Sequence, residues 1–68
     1  MMVSEETKQK YINKIYKEMQ FRGITEEEIP EVIAKTGFMD VMKDCPEAQL
    51  HYHPEDAVDE ILLIAALH

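Results

Sequence analysis

The sequence PEDAVDEILLIAALH, residues 54–68, decides the fold class of this chain. Successive residues of an α-helix turn by about 100°, so residues at helical spacing form one face. In this segment the apolar residues that share a face are Ala57, Val58, Ile61, Ile64 and Ala65. Pro54 suits the first position of the helix, and His53 its N-cap. The segment therefore predicts an amphipathic helix over residues 54–67 that covers a core.

The opposite face of this last helix changes from acidic to apolar along its length. Leu63 and Leu67 lie there one turn apart, beyond Asp56 and Glu60. Because a surface helix normally stays polar on this side, two interpretations are open. Either the helix is central in the fold, or its excess apolar surface faces another chain. We predict a partner-binding surface that consists of Leu62, Leu63, Leu67, Asp56 and Glu60.

A first helix is predicted over residues 5–22. Ser4 can cap its start, and residues that recur at helical spacing form one face. That face consists of Lys8, Tyr11, Ile12, Ile15 and Met19. Gly23 suits a left-handed stop, and Ile24 follows it where a Schellman ending requires an apolar contact.

The second helix is predicted over residues 26–36, between a capping box and a glycine. Thr25 would cap it and Glu28 would reach back to the cap. Pro30 removes an early backbone hydrogen bond, so the first turn should be bent or separate. Gly37 should end this helix.

A short third helix is predicted over residues 38–44, and Pro46 interrupts it. Its apolar face would consist of Phe38, Val41, Met42 and Cys45. Residues 46–53 should form a loop or a single turn. Together the four segments predict an all-α fold, a compact bundle of three to four short helices in a single domain over residues 1–68.

The length and the charge of the chain limit its function. Sixty-eight residues bury only roughly 60% of the unfolded surface, so self-association would stabilise the fold. The net charge of −7 disfavours binding to phosphate backbones. Residues 1–23 carry five basic and three acidic residues, a net charge of +2, whereas residues 24–68 carry two basic and eleven acidic residues, a net charge of −9. The first helix can therefore dock on its own chain or leave an acidic face for a basic partner.

The first helix also carries a basic ridge. Lys10, Lys14 and Lys17 share one side, and Phe21 extends that side. Ridges of this kind are usually solvated, and we expect the terminal aromatic ring to fold under the next turn.

Residues 45–56 contain the candidate metal ligands Cys45, His51 and His53. A thiol and two imidazoles are groups that bind zinc, although their spacing is not specific to a zinc site. The alternatives are that Cys45 is a small buried apolar residue and that His53 caps the last helix. We expect no cofactor.

Catalysis and DNA binding are both disfavoured. A nucleophilic site needs an oriented base and an oxyanion site in a cleft, for which a chain of this size has little room. We therefore expect that the protein is not an enzyme. The second and third helices could form a helix-turn-helix around Gly37, but Asp40 and Asp44 on the second of them would repel DNA.

The expected location is the cytoplasm. The N-terminus is acidic and lacks the apolar stretch of a signal peptide, and a single cysteine fits a reducing compartment. The longest apolar run, Ile61 to Leu67, has seven residues, far fewer than the roughly 20 of a membrane span. We expect neither a membrane nor a nucleic acid as a partner.

The stretch from Ile33 to Asp59 resembles a family of small bacterial proteins of unknown function. The resemblance rests on Lys35-Thr36-Gly37, Phe38-Met39-Asp40-Val41-Met42, Leu50-His51 and Glu55-Asp56-Ala57-Val58-Asp59. It covers less than half of the chain, and the positions of Pro46 and His53-Pro54 depart from it. The resemblance implies a small helical companion encoded beside a larger effector, such as an ADP-ribosyltransferase-like toxin.

The sequence thus favours a non-enzymatic protein-interaction or regulatory module that self-associates as a homodimer, and the resemblance implies that this module is an antitoxin-like companion. A small metal- or ligand-binding domain built on Cys45, His51 and His53 is one alternative. A helix-turn-helix that binds DNA is the other.

Overall fold

A computed structural model describes residues 3–67, and residues 1, 2 and 68 of the predicted domain lie outside the described residues. Residues 3–67 form helices and no strands. The helices are α1 (Glu5–Phe21), α2 (Ile29–Thr36), α3 (Phe38–Asp44), α4 (Pro46–Leu50) and α5 (Pro54–Ala66). The predicted all-α bundle is confirmed. The added α4 occupies the segment expected to be a loop or a single turn, because Pro46 starts a new helical turn after Cys45.

Both ends of α1 follow the predicted capping pattern. The Ser4 hydroxyl accepts a hydrogen bond from the backbone N–H of Thr7 at 3.1 Å. At the other end, Gly23 adopts φ +91°, a left-handed conformation that glycine tolerates without strain. The Gly23 N–H donates to Gln20 at 3.0 Å and the Ile24 N–H donates to Met19 at 3.1 Å. These two bonds form the predicted Schellman motif.

The second helix begins three residues later than predicted, at Ile29 rather than at position 26. The Thr25 hydroxyl accepts from the Glu28 N–H at 3.3 Å and donates to the Glu28 carboxylate at 2.7 Å. These bonds close a separate turn over residues 26–28, as expected for a proline one turn later. Pro30 has no N–H to bond the carbonyl of Glu26, so it interrupts the helical hydrogen bonds between the Ile29 N–H, which bonds the Thr25 carbonyl at 3.1 Å, and the Val32 N–H, which bonds the Glu28 carbonyl at 3.0 Å. Gly37 ends the helix with φ +71°.

The core lies between α5 and the other helices, and α5 makes its most extensive contacts with α1 and α2. Its buried residues come from α1, α2, α3 and α5: Tyr11, Ile15, Met19, Ile29, Ile33, Phe38, Met42, Ala57, Val58 and Ile61. Ile64 and Ala65, predicted for the same face of the last helix, are half-buried.

The face predicted for the third helix is wrong at two positions. Phe38 and Met42 are buried, but Val41 and Cys45 are exposed. Pro46 prevents α3 from continuing, and Cys45 leaves helical geometry with φ −135° and ψ 55°. Its side chain therefore no longer follows the apolar face of the helix.

Candidate functional site

The outer face of α5 is directed away from the core. Ala57, Val58 and Ile61 bury the inner face, so the residues about half a turn away remain in solvent. The exposed set, which we name the α5 outer stripe, consists of Asp56, Glu60, Leu63 and Leu67. Leu63 is 62% exposed and Leu67 is 79% exposed. The apolar end of this stripe is thus not covered by another part of residues 3–67.

Leu62 differs from the other four predicted partner-binding residues. It is half-buried and packs against the core. Its position beside the inner face of α5 makes it part of the edge of the core.

The outer face of α1 carries the predicted basic ridge. Its members, which we name the α1 outer stripe, are Lys10, Lys14, Lys17 and Phe21, and all four are exposed. The expectation that the terminal ring folds under the next turn is wrong. Phe21 is 86% exposed, because the Schellman turn directs the chain toward the core through Ile24 and leaves the ring on the solvent side. The exposure of Phe21 could not be predicted from the sequence, since periodicity alone does not show whether a later segment covers the helix.

Arg22 joins the end of α1 to the first half of α5. Its Nε donates to the Glu18 carboxylate at 2.9 Å, its Nη1 donates to the Asp59 carboxylate, and its Nη2 donates to the Glu55 carbonyl at 3.1 Å. The hydrogen bonds to Glu18 and then to Asp59 raise the pKa of the guanidinium. Sequence analysis missed this role, although Arg22 is the only arginine of an acidic chain and lies four residues after Glu18.

Tyr11 holds the segment before α5 against α1. Its hydroxyl donates to the Tyr52 carbonyl at 3.0 Å and accepts from the Gln49 amide at 3.4 Å. Its ring stacks on Phe38, with 6.4 Å between the ring centroids. Burial raises the pKa of Tyr11, an effect that the hydrogen bond from Gln49 partly offsets and the charge of Asp56 reinforces.

The structure places the three candidate metal ligands, Cys45, His51 and His53, in solvent. His53 occupies the N-cap position of α5, as predicted, but its side chain makes no capping hydrogen bond, so that part of the prediction is wrong. Within residues 3–67, no group of three or more His, Cys, Asp or Glu side chains is arranged to hold a metal ion. His51 and His53 line the same surface depression, and Cys45 is not part of its lining.

The helix pair around Gly37 differs from a helix-turn-helix. One residue separates α2 from α3, whereas the motif uses a turn of roughly three or four residues. The exposed residues of α3 include Asp40, Lys43 and Asp44. These three residues carry a net negative charge, which the sequence analysis had already counted against DNA binding.

A depression of about 150 Å³ lies between α3, α4 and α5. Thr36, Phe38, Val41 and Gln49 form part of its wall, and its titratable lining groups are Tyr52 and Glu60. Ligand pockets generally occupy roughly 300–1,000 Å³. This depression is therefore smaller than a typical small-molecule site.

Comparisons of the chain with protein-family models, with curated proteins and with solved structures find no match. In the part of the chain that the structure describes, each helix falls short of the length and apolar character that crossing a bilayer requires.

Proposed function

We propose that this chain is a non-enzymatic protein-interaction module of the cytoplasm, and that the α5 outer stripe is its contact surface. The role that fits the sequence resemblance is that of a regulatory companion of a larger effector, in the manner of an antitoxin. The observation that carries the proposal is the exposure of Leu63 and Leu67 beside each other on α5.

Two leucines one helical turn apart form a continuous apolar surface, which the exposed Ala66 extends. Single exposed leucines are common on proteins and need no partner. A contiguous patch with a polar border is typical of a protein-interaction site. Here the border is acidic, because Asp56 and Glu60 precede the leucines on the same face.

The energetic gain from covering this patch is considerable for so small a fold. Burial of one leucine side chain contributes about 2 kcal/mol. Small domains have stabilities of only about 5–15 kcal/mol. A partner that covers Leu63 and Leu67 would therefore stabilise both the complex and the fold.

Site-specific photo-cross-linking in cells of the source organism tests this proposal. A photoreactive residue replaces Leu63 in one variant and Glu31, which is exposed on α2, in the control variant. We expect a discrete cross-linked protein from position 63 and at least severalfold less of it from position 31. Adding Leu67→Glu to the first variant should remove the adduct, since the charge disrupts the apolar contact.

Two results would contradict the proposal. One is the absence of any discrete adduct from position 63. The other is an adduct of equal yield from positions 63 and 31, which would indicate non-specific capture of neighbouring proteins.

A further inference from the structure

The two outer stripes have the same spacing along their helices. The α1 outer stripe occupies positions 10, 14, 17 and 21, and the α5 outer stripe occupies positions 56, 60, 63 and 67. Both repeat at steps of four, three and four residues, the spacing with which helices pack side by side at small crossing angles. Each stripe extends over about 17 Å of helix.

The two stripes also change character in the same direction. Each begins with charged residues and ends with the most exposed large apolar side chains of the described chain, Phe21 at 86% and Leu67 at 79%. The charges are opposite in sign, with lysines on α1 and carboxylates on α5. A parallel pairing therefore places Lys10 opposite Asp56, Lys14 opposite Glu60 and Phe21 opposite Leu67.

The remaining pair of the parallel register is Lys17 opposite Leu63. A lysine stem covers apolar surface while its ammonium group stays in water, so this pair is compatible with the register. The antiparallel register is less favourable, because it keeps only one pair of opposite charges, Lys17 with Glu60, and places Phe21 against Asp56. The order of residues thus selects the parallel arrangement.

We propose that the α1 outer stripe of one copy of this chain packs in parallel register against the α5 outer stripe of a second copy. This inference rests on the proposed function, since it names the occupant of the same surface on α5. Within residues 3–67 no ion pair joins the two stripes of one copy, and α1 and α5, which contact each other, bury Tyr11, Ile15 and Ile61 rather than either stripe.

The charged residues of both stripes are free to form this contact. Within residues 3–67, Lys14, Lys17, Asp56 and Glu60 form no ion pair. Lys10 pairs with Glu6 at 3.4 Å, and both side chains are more than two-thirds exposed, so this pair is easily exchanged. Among the described residues, the acidic residues that follow position 23 therefore form no ion pair with the basic ridge of α1.

The size of the contact predicts its strength. One helix pair of this length buries less than the roughly 1,200 Å² of a stable protein interface, so the association should be weak and dependent on concentration. The contact joins the α1 outer stripe of one copy to the α5 outer stripe of another. The first copy then keeps a free α5 outer stripe and the second a free α1 outer stripe, unless the assembly closes into a ring. Larger oligomers should therefore form as the concentration rises.

Charge reversal on each stripe tests the inference by sedimentation velocity over a wide concentration range. The first variant carries Lys10→Glu with Lys14→Glu, and the second carries Asp56→Lys with Glu60→Lys. Each alone should associate at least tenfold more weakly than the wild type, because like charges face each other in the contact. A mixture of the two should associate again, since each supplies the charge that the other lacks.

A single chain with all four reversals is the matched control, because it keeps the wild-type net charge and should regain self-association. Circular dichroism at low concentration checks that every variant stays folded, as expected for exposed positions. A non-specific effect of net charge predicts a different order of association strength. The second variant is the least negative chain and would then associate more strongly than the wild type and the first variant. That order would overturn the inference.

Disulfide trapping tests the register in chains that also carry Cys45→Ser. Lys14→Cys mixed with Glu60→Cys should form the mixed disulfide severalfold faster than Lys14→Cys mixed with Leu63→Cys. The reverse preference would indicate antiparallel packing and would overturn the register.

Two further outcomes separate this inference from the proposed function. A wild type that remains monomeric at all concentrations overturns self-association, while the photo-cross-link from position 63 still tests for another protein. A first variant that associates as well as the wild type shows that α1 is not the occupant. That result also overturns the inference, but it leaves the α5 outer stripe as a contact surface.

Discussion

Arg22 and Asp59 form an ion pair between the end of α1 and the middle of α5, although 37 positions separate them in the sequence. The same guanidinium also bonds the Glu55 carbonyl and the Glu18 carboxylate. This group fixes the relative position of the two helices whose outer stripes we propose as contact surfaces. Through Arg22, the basic first helix docks on the acidic remainder of its own chain. The charge distribution allowed this arrangement or an acidic face that is left for a basic partner.

Arg22→Ala should lower the denaturant concentration at the unfolding midpoint, because it removes bonds to three groups on two helices. Lys10→Ala is the matched control, since it breaks one exposed ion pair within α1 and should change the midpoint much less. The difference in unfolding midpoint between the wild type and Arg22→Ala should become smaller at high salt, because salt screens exposed charges. Equal midpoints for the two variants would show that Arg22 does not contribute to the α1–α5 contact.

Thr25→Ala should destabilise the fold by about 1 kcal/mol, because the Thr25 hydroxyl closes the turn before α2 through Glu28. Glu26→Ala changes an exposed neighbour in the same turn and should cost less than about 0.5 kcal/mol. Urea denaturation of both variants measures the difference. A Thr25→Ala protein as stable as the Glu26→Ala protein would mean that the turn forms without this hydroxyl.

Cys45 should react rapidly with thiol reagents in the native protein, at a rate close to that of the unfolded chain, because the residue is exposed. This expectation replaces that of a buried thiol. Cys45→Ser should change the free energy of unfolding by less than about 0.5 kcal/mol. Slow labelling of the native protein that speeds up in denaturant would indicate instead that the thiol is covered.

Tyr11→Phe should destabilise the fold by about 1 kcal/mol at neutral pH, since it leaves the Tyr52 carbonyl and the Gln49 amide without this partner. The variant should also be less sensitive to alkaline pH. Because the pKa of Tyr11 is raised in the folded state, the unfolded chain loses this proton first. The stability due to Tyr11 is therefore complete below pH 10, the ordinary value, and is lost as the pH rises through the folded pKa.

Denaturation of both proteins at a series of pH values from neutral to alkaline checks the second part of this prediction. The difference in stability between the wild type and Tyr11→Phe should narrow above pH 10. A constant difference would show that the hydroxyl titrates equally in the folded and unfolded chains.

Leu63→Glu combined with Leu67→Glu should give a folded protein, with a free energy of unfolding within about 0.5 kcal/mol of the wild-type monomer, because both side chains are exposed. Leu62→Glu is the control. It places a charge at the edge of the core and should destabilise the fold by a few kcal/mol. Thermal denaturation followed by circular dichroism compares the stability of the double variant with that of Leu62→Glu. An unfolded double variant would mean that the outer leucines belong to the core.

Local signals in the sequence accounted for most helix boundaries. The Ser4 cap, the Gly23 and Gly37 stops and the bent start caused by Pro30 depend on hydrogen bonds within a few residues, so the residues themselves specify them. The start of α2 was placed three residues early because a capping signal marks a turn as readily as a helix.

The candidate site could be predicted only in part. Periodicity placed Leu63 and Leu67 on the outer face of α5 and Lys10, Lys14 and Lys17 on one side of α1. It did not show that these faces remain uncovered, because the path of the other helices determines which surfaces they cover. For the same reason it placed Cys45 in the core and Phe21 under a turn.

The sequence by itself determined the all-α class, the apolar face of each long helix and the charge difference between the first helix and the rest. These properties follow from the repeat of the α-helix and from bonds between near neighbours. Only the tertiary structure decided that Arg22 meets Asp59, that Tyr11 meets Tyr52, and that the outer leucines of α5 and Phe21 of α1 face solvent. Contacts between distant segments depend on how all the helices share one core, and no local pattern specifies that arrangement.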